Sequence, residues 1–266
     1  MMNLHQTTSG QALAVSAISR TGSRSQNEDA CGYWTSEASS CFVVSDGAGG
    51  HAGGAIASEI AVKTVLGSFS EAPSFGINRA KSVIAAADQA LREGRGRSIE
   101  LADMTATVAV LFLNGAGSRA LWAHLGDTRI YVFRRGRAHQ LTRDHSVVQN
   151  LVDAGYLAPE GLRTHPDRSL LLAALGIDNE GAAPAISEVE FETNEGDAFL
   201  LCSDGLWEGI NEAEMEDALL HAESVEDWLS GLEQRVVKRN KPSQDNYTAL
   251  AIWLGSPQEI TRLPAR

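Results

Sequence analysis

Five aspartates stand where an apolar run meets a turn, and carboxylates in such places can do chemistry. Asp46 follows "FVVS" and opens the glycine-rich stretch "DGAGGHAGG". Asp127 lies in "HLGDTR", Asp204 in "LLCSDGL", Asp245 in "QDNYT" and Asp29 in "NEDA". Aspartate is disfavoured inside strands, and a lone one at a strand end is usually a turn former. Several together, two of them in an S-D-G context, point to a shared rim at one end of a sheet. Two unit charges ~4 Å apart repel by about 4 kcal/mol at an effective dielectric near ~20. Carboxylates gathered in this way must raise their pKa values or hold cations. Oxygen ligands with no Cys or His set beside them favour the hard ions Mg²⁺ and Mn²⁺. Glycines next to the aspartates leave room for backbone carbonyls and waters in the coordination.

The glycine-rich turn has two other readings. A Walker A loop requires G-x-x-x-x-G-K-[ST], and the Lys and hydroxyl are missing. The dinucleotide fingerprint is nearer, because "GAGGHA" fits G-x-G-x-x-A between a strand-like and a helix-like segment. Against it, Asp46 directly precedes the first glycine, where a carboxylate would repel a pyrophosphate. Glu71, at about the required spacing of ~20 residues, does not end a second strand.

Elements to position these carboxylates follow from hydrophobic periodicity. "ALAVSAIS" and "CFVVS" read as strands, with a weaker one at "CGYW". "GAIASEIAVKTVL" and "AKSVIAAADQAL" read as helices, the second with a stripe of Ala80, Val83, Ile84, Ala87 and Leu91. Thr105 to Thr142 reads as a meander of strands joined by tight turns. "SVVQNLVDAG" is a short helix, and 155–182 is the most loop-like stretch. "SEVEFET" alternates Val189 and Phe191 with glutamates, as in a half-exposed strand. "DAFLLCSDG" is a buried strand ending in a turn. Two helices follow, the second with Val225, Trp228, Leu229, Leu232 and Val236 on one face, and "YTALAIWL" is the last strand. Strands segregated from paired helices predict a layered α+β fold. The expected organisation is a loose segment at 1–10, one domain over 11–255 and a tail at 256–266.

Composition narrows the partners. The chain has 266 residues, 34 acidic and 22 basic, for a formal net charge of −12. Such a surface repels nucleic acid and anionic lipid, so neither is an expected partner. Cys31, Cys41 and Cys202 are scattered, which argues against a disulfide framework or a zinc site and for a reducing compartment. The start lacks a secretory pattern, and no apolar run approaches the ~20 residues of a membrane span. A cytoplasmic protein is expected.

Seven motifs in order carry a resemblance: "RSQNEDA" (24 to 30), "VVSDGAGGHAGG" (43 to 54), "MTATVAVLFL" (104 to 113), "HLGDTRIYVFRRGRAHQLTRDHS" (124 to 146), "LLAALG" (171 to 176), "DAFLLCSDGLW" (197 to 207) and "DNYTALAIWL" (245 to 254). The chain resembles, from about residue 12 to 254, the metal-dependent PPM family of protein Ser/Thr phosphatases (type 2C) in its bacterial form. The resemblance implies a four-layer α-β-β-α sandwich, two antiparallel sheets face to face with helices outside and metals at one end. It implies that Asp46 bridges two Mn²⁺ or Mg²⁺ ions, with the Gly47 carbonyl on the first and Asp204 and Asp245 on the second. Asp127, with Asp204, would hold a third, weaker ion. Glu28 and Asp29 would orient bound waters. Arg24, four residues before Glu28, would clamp the phosphate through its planar fork. The implied reaction is attack by a metal-bridging water in line at phosphorus, with no covalent enzyme intermediate. Phosphorylated proteins would be the substrates, opposite a bacterial Ser/Thr kinase, and the protein would act as a monomer.

The chain departs from the family pattern in places. The position of the eukaryotic leaving-group histidine is Ala48, so the general acid is unassigned. The strand that usually begins G-T-T reads Thr105-Ala106-Thr107. His51 reads as a structural residue or one that supports the metal ligands from behind, and His124 and His145 read as scaffold. Residues 150–180 match the family's variable flap, where Arg163 and Arg168 are either phosphopeptide contacts or solvated loop residues. Three other readings remain: an inactive relative acting as a binding module, a partner-switching stress phosphatase, and a small-molecule phosphoesterase. All four metal aspartates, Arg24 and the GDTR motif are present, which disfavours the first two.

Overall fold

Two antiparallel sheets lie face to face in the computed structural model, which describes residues 2–7, 12–50, 53–177, 184–187, 190–239 and 243–255. The chain begins with β1 (Met2–Thr7), β2 (Ala12–Arg20), β3 (Asp29–Thr35) and β4 (Ser39–Ala48), then helices α1 (Gly53–Glu71) and α2 (Ile77–Arg95). Next come β5 (Thr105–Ala106), β6 (Val108–Asn114), β7 (Arg119–Leu125), β8 (Arg129–Arg134), β9 (Arg137–Gln140) and the short helix α3 (Val147–Asp153). β10 (Ala185–Ile186), β11 (Phe191–Glu192) and β12 (Ala198–Cys202) lead to a single turn, α4 (Asp204–Trp207). Helices α5 (Glu212–His221) and α6 (Val225–Lys238) precede the last described strand, β13 (Tyr247–Leu254).

One sheet runs β1-β2-β13-β12-β8-β9, the other β10-β7-β6-β4-β3, with β11 also on β7 and β5 on β4. Alternation along each strand sends residues to different layers. On β12, Leu200 and Cys202 face α5 and α6, whereas Phe199 and Leu201 enter the space between the sheets. There they join Phe42 and Val44 of β4, Leu111 of β6 and Leu250 of β13. Burial on both faces is why these strands read as unbroken apolar runs. The four-layer α-β-β-α sandwich is as expected.

The helices pack by their predicted stripes. Ala80, Val83, Ile84, Ala87 and Leu91 of α2 are all buried with α1 against the second sheet. Val225, Trp228, Leu229, Leu232 and Val236 of α6 are buried against the first. Trp228 meets Phe133 edge-on at 4.9 Å, and each such side chain contributes ~1.5–3 kcal/mol by leaving water. Capping places the helix starts. The Ser224 hydroxyl accepts the Asp227 N–H at 3.1 Å, and Asn211 with Glu214 forms a reciprocal capping box.

Three expectations need correcting. The first is the loose start: Met2–Thr7 pairs with β2 as an edge strand, because antiparallel backbone hydrogen bonds need no hydrophobic pattern to form. The second is the single meander. β6 and β7 belong to one sheet and β8 and β9 to the other, so the chain changes sheet between Leu125 and Arg129. Gly126 makes the change, with φ +105° and so little room that a Cβ would lie 2.6 Å from Thr107 Cγ2. The third is the "SEVEFET" strand, which is described only at Phe191–Glu192; Val189 lies outside the described residues, as do His51, 178–183 and 256–266.

Candidate metal centre

The two sheets deliver the predicted aspartates to one end of the sandwich. Asp46 lies near the end of β4, directly opposite Asp29 at the start of β3. Like charges paired across strands are destabilising unless something lies between them. Asp127 sits in the sheet crossing, Asp204 opens α4 just past β12, and Asp245 lies two residues before β13. Because β12 and β13 are antiparallel, with Cys202 opposite Ala249, the end of one and the start of the other share a rim. A cavity of about 200 Å³ opens there, lined by Arg24, Glu28, Asp46, Asp127, Asp204 and Asp245, with Gly47 also on its wall. Asp29 lies behind this wall.

Electrostatics report the crowding. Burial first, then Asp29, Asp204, Asp127 and Asp245, holds the Asp46 carboxyl well above the usual range. Asp204 is raised in the same way, by burial and then by Asp127, Glu208 and Asp245. Burial pushes Asp127 up to about 7 and Asp29 up to about 6. Glu28 is raised as well, by burial, although Arg24 opposes the shift.

Hydroxyl and amide groups hold the carboxylates in place. The Ser203 hydroxyl donates to Asp29 Oδ2 at 2.6 Å and accepts the Thr248 N–H at 3.0 Å, which ties β3, α4 and β13 together. Asp29 Oδ1 is buried and finds no hydrogen-bond partner among the described residues. The Asp46 N–H donates to Thr107 Oγ1 at 3.0 Å, and Thr107 Oγ1 also meets Thr128 Oγ1 at 2.6 Å. The departure at Thr105-Ala106-Thr107 thus keeps its last hydroxyl as a strut under the rim. Asn246 staples the loop carrying Arg24 and Glu28, accepting the Glu28 N–H at 2.8 Å and donating to the Thr21 and Gln26 carbonyls. Ser203, Thr107 and Asn246 were missed as site residues; only the repeated S-D of "VSDG" and "CSDG" hinted at Ser203.

Gly47 cannot be another residue here. A Cβ would fall 1.9 Å from the Gly54 carbonyl oxygen, so only glycine lets the end of β4 pass under the start of α1. Arg24 reaches across the cavity mouth, where its Nη2 donates to Asp245 Oδ2 at 2.6 Å. The other candidate cations serve the scaffold. Arg163 donates to the Ile210 carbonyl at 2.8 Å and to Glu212 Oε1 at 2.6 Å, and Arg168 pairs with Glu208 at 2.6 Å. His124 Nε2 contacts the Arg143 carbonyl, and its ring stacks on His145 at 4.6 Å. Burial lowers the His124 pKa to about 4, which keeps it neutral.

The residues fit divalent cations by donor chemistry. Oxygen atoms alone face the cavity as ligands, several on carboxyl groups that burial and mutual repulsion disfavour as bare anions. Among the described residues no three Asp, Glu, His or Cys side chains stand as a finished ligand set. The aspartates instead ring a shared space, which suits ions that keep several waters of their own. A family model described as Protein phosphatase 2C matches residues 19–254. The chain belongs to the protein phosphatase 2C family. It is 33% identical over 193 residues to the serine/threonine protein phosphatase PstP of Mycobacterium tuberculosis, covering 70% of this chain and 35% of that one. The chain thus spans about a third of the length of that relative. It is 30% identical over 241 residues to the serine/threonine phosphatase stp of Listeria welshimeri, covering 86% of this chain and 90% of that one. A crystal structure of the PstP catalytic domain in complex with two manganese ions superposes with a TM-score of 0.77 at 27% identity, covering 92% of this chain and 99% of that one.

The raised carboxyl pKa values make a prediction for the metal-stripped protein. Asp29 and Asp127 keep protons in the folded state up to about 6 and 7, while unfolded carboxyls release theirs near ~4. The folded state therefore binds more protons across that window, and stability must fall as pH rises through it. In scanning calorimetry, chelator-treated protein is expected to lose several degrees of Tm between pH 5 and pH 8. Saturating Mn²⁺ should remove this loss. A flat or rising Tm without metal would overturn the electrostatic account.

Proposed function

We propose that this member of the 2C family is a metal-dependent phosphatase that hydrolyses phosphoserine and phosphothreonine in proteins, opposite a bacterial Ser/Thr kinase. One observation carries the reading: four strand-end aspartates and one arginine ring a single cavity. Both relatives named above are called serine/threonine phosphatases, and the PstP catalytic domain binds two manganese ions.

Asp46 and the Gly47 carbonyl would hold one Mn²⁺ or Mg²⁺. Asp46, Asp204 and Asp245 would hold the second, and Asp127 with Asp204 a third. When bound, the ions supply Lewis-acid polarisation and a water acidic enough to attack near neutral pH. Arg24 would take the phosphate dianion by its fork once Asp245 turns to a cation. Glu28 on the cavity wall and Asp29 behind it would orient solvent, Asp29 through its buried Oδ1. Ala48 offers no proton to the leaving alkoxide, so that proton comes from no side chain at this position. The acidic surface supports protein substrates over nucleic acid, and no helix among the described residues is long and apolar enough to cross a membrane. A cytoplasmic monomer is the corresponding reading.

The test is hydrolysis of a phosphothreonine peptide by metal-stripped protein, with and without Mn²⁺, beside Arg24→Ala. Turnover should require the metal. Charge-assisted hydrogen bonds contribute ~1.5–3 kcal/mol each, so Arg24→Ala should lower kcat/KM by about 10- to 150-fold. Metal-independent turnover, or turnover of nucleotides alone, would refute the assignment.

A further inference from the structure

We propose that the fold carries a second ligand site, for a small amphipathic carboxylic acid, in a cavity between α2 and β7 that shares a wall with the metal centre. Its volume is about 360 Å³, within the range of small-molecule sites. Ile84 of α2, Leu125 of β7, Ile186 of β10, Ala174 and Ile177 give it an apolar lining. Nothing in the proposed phosphatase chemistry uses this space.

Charge selects the ligand's head group. Among the described residues, three charged ones border the cavity: Lys81, Asp88 and Arg92. Two of them neutralise each other, since Arg92 Nε donates to Asp88 Oδ2 at 2.8 Å. Arg92 also donates to the Ile177 carbonyl, and Asp88 Oδ1 accepts the Gly176 N–H at 2.8 Å. Lys81 is exposed and has no ion-pair partner among the described residues. An apolar chamber with an ammonium at its solvent side that no described residue neutralises fits an apolar body ending in one carboxylate.

Position gives the site a consequence. Ala174 borders both this cavity and the metal centre. The next residue, Leu175, exchanges two backbone hydrogen bonds with Ala106, at 2.8 and 3.3 Å. Ala106 lies on β5 directly opposite Gly47. A ligand pressing on 174–177 from the α2 side therefore pushes on a segment bonded to the strand beside Gly47. This is a contiguous physical connection between the two cavities, and coupling through it is measurable.

The experiment is methyl NMR of the Mg²⁺-loaded protein titrated with 4-phenylbutyrate, which reports binding whether or not the chain is a phosphatase. Saturation should shift the methyls of Ile84, Leu125, Ala174 and Ile186, and with them the Ala106 methyl beside the metal centre. Ala85→Trp, an exposed α2 residue on the cavity lining, should fill the chamber and weaken binding at least tenfold with the spectrum otherwise kept. Lys81→Gln, or 4-phenylbutyramide with the wild type, should weaken it about tenfold. Equal affinity in Ala85→Trp would mean that the acid sits on the cations instead, and would overturn the site. Equal affinity for the amide would overturn its choice of anion. An unmoved Ala106 methyl with the cavity saturated would overturn the coupling.

Discussion

Asp204→Asn is expected to lower kcat/KM on a phosphothreonine peptide by about 10³-fold or more, and to raise the Tm of the metal-stripped protein at pH 7.5. Both effects come from one lost carboxyl group. Asp204, like Asp46, is proposed to touch two of the ion positions, so the amide weakens the hold on both. Metal assistance is worth several kcal/mol of transition-state stabilisation, and about 4 kcal/mol corresponds to ~10³-fold. In the metal-free protein the same carboxylate is a liability. Its proton is held by burial and by repulsion from Asp127, Glu208 and Asp245, and the neutral isostere removes that conflict. Stability and activity should therefore move in opposite directions, as at other strained functional sites. The measurements are steady-state kinetics in saturating Mn²⁺ and calorimetry in chelator. Activity within tenfold of the wild type would remove Asp204 from the centre. A Tm that falls in chelator would show that Asp204 serves the fold instead.

The aspartates were legible because each breaks a rule of its neighbourhood. A charged residue at the end of an apolar strand has no packing purpose, so five such exceptions point to a rim. The α2 and α6 stripes were legible for the opposite reason, since each obeys a 3.6-residue period with one face buried. The sheet change at Gly126 was not. β6, β7 and β8 are buried on both faces, so their composition is the same whichever sheet they join. The signal lay in backbone space around Gly126, which a sequence does not display. Ser203, Thr107 and Asn246 escaped for a similar reason: small polar residues are common in turns, and their value here depends on partners up to 225 positions away. Arg163 and Arg168 looked available for substrate because a loop arginine's partner cannot be read from its own neighbours. In the structure both are engaged, with the stretch from Trp207 to Glu212 and with Glu208.

Arg129→Ala is expected to destabilise the protein by ~3–5 kcal/mol, the cost of leaving a buried charge without its partner. For a domain of this size that corresponds to a Tm lower by roughly 6–20 °C. Arg129 of the GDTR motif meets Asp144 of the DHS motif in a two-pronged pair, Nε to Oδ1 at 2.9 Å and Nη2 to Oδ2 at 2.7 Å. The two side chains are only 5% and 1% exposed, so water cannot replace the lost partner. The variant Arg129→Met/Asp144→Leu separates the charge from the space it fills. Removing both ions and keeping apolar bulk should recover most of the lost stability, because a buried pair returns little more than its own desolvation cost. Recovery of function should not follow. The Arg129 guanidinium also lies 3.5 Å over the Trp207 ring, and Trp207 Nε1 donates to the Asp127 carbonyl at 3.0 Å. The pair thus sets the ring that sets the backbone of an aspartate on the cavity wall. A double variant that melts near the wild type yet binds Mn²⁺ more weakly would separate the two roles, and isothermal titration reads the second. If the double variant melts as low as Arg129→Ala, the cost lies in lost packing and not in the orphaned charge.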